Sequence, residues 1–90
     1  MDEILKDVYT WSVYSGEKKL HFNGYFITAQ NPLFGNIVID PPQASDSDLE
    51  QMESLGSVQH IIITNQDHIR NSKEFQQKFG AEIQINTNDE

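Results

Sequence analysis

Val58 to Thr64 read VQHIIIT, and the three consecutive isoleucines, Ile61 to Ile63, constrain the fold more than any other feature of the chain. Successive side chains of a strand point to opposite faces of its sheet. An unbroken apolar run therefore predicts a strand buried on both faces, as in a sheet covered by further layers.

The flanking sequence supplies the other elements. Asp7 to Ser15 read DVYTWSVYS, with Val8, Thr10, Ser12 and Tyr14 on one face and Tyr9, Trp11 and Val13 on the other. Dense β-branched and aromatic content predicts a strand there. Gly16, Glu17 and Lys18 supply a turn into Leu20 to Ala29, a second strand that forms a hairpin with the first. Gly24 inside it predicts a bulge or a close backbone approach. Asn31, Pro32 and Gly35 mark a loop. Asn36 to Asp40 then form a short strand that stops at Pro41 and Pro42.

Ser47 with Glu50 makes a capping-box pattern. Leu49, Met52 and Leu55 recur at helical spacing, and Gly56 sits at the position of a C-terminal cap. Beyond the isoleucine strand, Asn65 to Arg70 form a loop. Asn71 and Glu74 suggest a second capping pair, Phe75 and Phe79 share one face of a second helix, and Gly80 closes it. Ala81 to Asn86 are a last strand, with Ile83 and Ile85 on one face. The resulting order is β-β-β-α-β-α-β, an α/β fold in a single domain over residues 1–90, with right-handed crossovers where strands run parallel.

Composition narrows the function. Fourteen acidic against 6 basic side chains leave a net charge of -8, and only Lys18 and Lys19 are adjacent basic residues. Such a chain repels phosphate backbones and anionic membrane surfaces, so no nucleic acid and no membrane is expected as a partner. With no cysteine, disulfides and thiolate metal sites are excluded. No apolar run is long enough to span a membrane, and Met1 to Lys6 lack the regions of a signal peptide. A cytoplasmic location is the expectation.

Two segments are more specific. One is Gly35 to Pro41, GNIVIDP; the other is Ile61 to His68, IIITNQDH, followed by a helix and then Phe79 to Ile83, FGAEI. Together they resemble the N-terminal half of the metallo-β-lactamase superfamily, in a divergent branch with a Thr-Asn-x-Asp-His motif. In that superfamily a strand ends in an aspartate, a helix follows, and a buried strand leads into a His-x-His-x-Asp-His metal loop. The resemblance runs over residues 7–86 and implies one half of an αββα sandwich. His68 then matches the last histidine of the loop and Asp67 its aspartate. Asn65 stands at the second histidine and Ile63 at the first.

A catalytic zinc normally keeps three protein ligands and an open position for the water it activates. Ile63 has no donor atom, and Asn65 is a neutral oxygen donor, a poor substitute for imidazole at zinc. Asp67 and His68 are the candidate metal positions, as vestiges of a second-site pair. The plainer alternative is that Asp67 caps the following turn with His68 packed beside it. The superfamily's further histidine and aspartate ligands belong to the second half of the domain, which this chain ends before. No catalytic residue, cofactor-binding residue or bound cofactor is assigned, zinc being the alternative.

His21, in the second strand, and His60, sharing a strand face with Val58 and Ile62, are expected as core residues rather than ligands. Asp40 is expected to anchor the neighbouring loop by hydrogen bonds. Ser45, Ser47 and Asp48 belong to a helix start, and no phosphate loop or nucleophile elbow is present.

Half of a sandwich leaves one sheet face bare, and Trp11, Phe22, Phe26 and Ile61 to Ile63 are its expected lining. A homo-oligomer or the remainder of a longer chain is the expected partner, ahead of a compact monomer with a rearranged edge. The function expected is that of an interaction or structural module, without catalysis by this chain alone. The alternative is a metal-dependent hydrolase whose site a C-terminal half or a partner chain completes.

Overall fold

A computed structural model describes residues 1–29, 33–64 and 71–85. The elements are β1 (Asp2–Leu5), β2 (Val8–Ser15), β3 (Leu20–Ile27), β4 (Ile37–Ile39), α1 (Asp46–Ser54), β5 (His60–Ile63), α2 (Ser72–Phe79) and β6 (Glu82–Ile85). The strands form one six-stranded sheet in sequence order, β1-β2-β3-β4-β5-β6. Each of the first four is antiparallel to its neighbour, and β4, β5 and β6 run parallel. The α/β architecture is thus the one the sequence predicts, with β1 added ahead of it. Every residue of β1 is exposed, so no apolar alternation announces it; its strand conformation comes from pairing with Val8 to Thr10.

Local signals explain most boundaries. Helix α1 starts two residues earlier than the Ser47 pattern predicts. Ser45 is its N-cap, and its hydroxyl oxygen accepts from the Asp48 amide at 3.1 Å. This start puts Asp46 and Asp48 in the first turn, where the helix dipole favours negative charge. The helix ends in a Schellman motif. The Ser57 amide reaches Met52 O at 2.9 Å and the Gly56 amide Glu53 O at 3.2 Å. Helix α2 follows Asn71, which makes no side-chain cap bond, and ends at Gly80 in the left-handed region with its amide on Gln76 O at 2.8 Å. Gly24 is a close approach rather than a bulge. The register runs unbroken through Trp11↔Gly24, and a Cβ there would lie 2.6 Å from the Trp11 ring and 2.7 Å from Pro42 Cδ.

Both crossovers step the same way along the sheet, from β4 to β5 and from β5 to β6. Right-handed connections therefore place α1 and α2 on the same face. The single core lies between that face and the helices. Tyr9, Phe26, Val38, Ile61 and Ile83 form one cross-strand row on this side, each the register partner of the next. Phe26, Val38, Ile61, Ile63 and Met52 are fully buried. Trp11 stacks on Phe75 of α2 with ring centroids 5.9 Å apart.

The other face carries two rows. One is Val8, Ile27, Ile37, His60 and Glu82; the other is Thr10, Tyr25, Ile39, Ile62 and Gln84. Val8, Ile27, Ile37, Ile39 and Ile62 are half-buried, Tyr25 is exposed, and none of them joins the core cluster. No described element lies over them.

The lining expected for a bare face is corrected accordingly. Trp11, Phe22, Phe26, Ile61 and Ile63 face the helices; of that set, Ile62 alone is on the open side. Nor is the isoleucine strand buried on both faces, because Ile61 and Ile63 fill the core while Ile62 lies against no described layer. None of the described helices is long and apolar enough to cross a membrane.

Candidate functional site

The candidate metal positions Asp67 and His68, with Asn65 before them, lie outside the described residues. The structure describes the frame that holds the segment they occupy. That segment leaves from the C-terminal end of β5 and returns at α2, and both of its ends are fastened to consecutive residues following β4.

The first fastening is Asp40. The ladder continues past β4, with the Asp40 amide donating to Ile62 O at 3.0 Å. The chain then turns through a positive φ of 48° at Asp40, a conformation that aspartate tolerates better than most residues. This turns the carboxylate toward the end of β5. The Thr64 amide donates to Asp40 Oδ1 at 2.9 Å, and the Thr64 hydroxyl to Oδ2 at 2.7 Å. Asp40 is 8% exposed; these two donors help to stabilise its buried carboxyl group. The second fastening is the next residue, whose carbonyl, Pro41 O, accepts from the Asn71 amide at 3.4 Å. Thr64 and Asn71, the described residues on either side, are thus both held by the Asp40–Pro41 step.

The expected role of Asp40 as a loop anchor is what the geometry gives. Thr64 and Pro41 are the partners that sequence reasoning did not single out. The Asp40-Pro41 pair marks the strand end, but only the parallel register of β4 on β5 brings it beside Thr64.

Position 63 has a direction as well as a chemistry. Ile63 is fully buried on the helix side of the sheet, so its side chain is part of the core. His60 begins β5, at the end of the strand away from Thr64. Its Nε2 lies 2.9 Å from Phe34 O, on the open face in the Ile37 row. It shares that face with Ile62; Val58 precedes the strand and is buried in the core. His21 is exposed and its ring lies 5.0 Å from that of Tyr14. Neither histidine is the core residue expected from its strand. Among the described residues, no three histidine, aspartate or glutamate side chains gather into a metal-holding group.

The β2–β3 hairpin stands at the same edge. Tyr25 to Ile27 pair with β4, so the rungs from Ser12↔Asn23 to Ser15↔Leu20 run on past the C-terminal end of that strand. Lys18 Nζ sits 5.6 Å from the Phe22 ring centroid near the hairpin tip.

An antiparallel meander that passes into a parallel β-α-β-α-β run, with its loop fastenings at the C-terminal ends of the parallel strands, defines an α/β fold whose candidate site lies at that edge. A family model described as the metallo-beta-lactamase superfamily matches residues 3–90, and the chain belongs to that superfamily. No curated protein matches it.

Proposed function

We propose that this chain is an interaction or structural module, a metallo-β-lactamase-like half-domain with a degenerate metal motif and no catalytic activity of its own. The observation that carries the reading is the open sheet face. Val8, Tyr25, Ile27, Ile37, Ile39 and Ile62 form a patch across β2 to β5, roughly 15 Å wide at the usual strand spacing. A contiguous apolar surface of this kind is covered in a working assembly or causes aggregation. Its occupant is a second copy of the chain or the remainder of a longer one.

The donor set supports the non-catalytic half of the proposal. Ile63 offers no donor and lies in the core, and Asn65 is a weak replacement for imidazole. Asp67 and His68 remain, too few to hold a catalytic zinc firmly. Sedimentation velocity and dye binding test the association. The purified chain is expected to self-associate or to bind an apolar dye. Ile37→Lys and Ile62→Lys are expected to reduce both while the circular dichroism spectrum is unchanged. A monomer that binds no dye would refute the reading.

A second reading rests on the double hydrogen bond from Thr64 to Asp40, which fixes the start of the segment holding Asp67 and His68. On it the chain is part of a metal-dependent hydrolase, with Asp67 and His68 as ligands in a site completed by a C-terminal half or a partner chain. Elemental analysis of the chain, before and after Asp67→Ala and His68→Ala, separates the two readings.

A further inference from the structure

We draw no further inference here: the strongest candidate, the apolar sheet face of Val8, Tyr25, Ile27, Ile37, Ile39 and Ile62 turned away from the helices, already carries the proposed function, and nothing in the structure shows what covers it.

Discussion

Asp40 and Thr64 close a two-point bridge between the ends of neighbouring parallel strands, one carboxylate oxygen on the Thr64 amide and the other on its hydroxyl. Two features of Asp40 are separable by mutation: its acceptors and its positive φ. Asn keeps the backbone tolerance and one carbonyl acceptor, whereas Ala loses both. Asp40→Ala is therefore expected to cost about 2–4 kcal/mol, and Asp40→Asn roughly 1 kcal/mol. Urea unfolding followed by the fluorescence of Trp11, the single tryptophan, reads both. A loss in Asp40→Ala no larger than that in Asp40→Asn would mean that neither the acceptor that asparagine keeps nor its tolerance of the positive φ stabilises the fold.

Gly24 gives a steric test of the contact between the hairpin and the Pro41-Pro42 segment. A Cβ at this position meets the Trp11 ring at 2.6 Å and Pro42 Cδ at 2.7 Å, and both neighbours are rigid rings. Gly24→Ala is expected to destabilise by about 1–3 kcal/mol through overpacking. Gly16 is the control, with nothing within 4 Å of an added Cβ; Gly16→Ala is expected to stay within about 0.5 kcal/mol of the parent. If both substitutions are neutral by urea midpoint, the close approach of Trp11 and Pro42 to Gly24 is not present in solution.

How much of this was legible depended on where each piece of information resides. The hairpin, the position of the isoleucine strand and the Gly80 cap are written in short windows, and the structure follows them; the burial of that strand on both faces is not found, since Ile62 is only half-buried. Strand β1 is not so written, because Asp2–Leu5 set two acidic residues before two apolar ones without alternation, and the partner Val8–Thr10 supplies the order. Alternation along Val8–Ser15 and Leu20–Ile27 separates two faces but does not say which one the helices take. The handedness of the two crossovers makes that choice, and so the bare face is the Ile37 and Ile62 face rather than that of Trp11 and Phe26. Asp40 was readable as an anchor, but its partner depended on the register of β4 against β5. The metal motif rested on resemblance, and its residues Asp67 and His68 lie outside the described part of the chain.

The metal question has a direct expected outcome. A chain that keeps only the Asp67 and His68 positions is expected to purify with well under one equivalent of zinc, since tight sites use three or four protein ligands. Asp67→Ala and His68→Ala are then expected to leave the metal content unchanged. One equivalent of zinc in the parent chain, lost in either variant, would establish those side chains as ligands and favour the hydrolase reading.

The sharpest contrast lies between adjacent isoleucines of β5. Ile61 is fully buried under the helices, and Ile62 is half-buried on the open face. Ile61→Ala is expected to cost about 2–4 kcal/mol at any protein concentration, because the cavity forms within one chain. The loss at Ile62 depends on what lies over it. In the isolated chain Ile62→Ala removes a side chain already in partial contact with water, at about 1 kcal/mol. Where a second copy covers the face, the parent gains stability with concentration by mass action, and that gain weakens in the variant. Unfolding midpoints measured over a hundredfold range of concentration separate the cases. A parent midpoint that rises with concentration, with a smaller rise in Ile62→Ala and an undiminished one in Ile61→Ala, places the partner on the Ile62 face. A parent midpoint independent of concentration removes the second copy as the occupant.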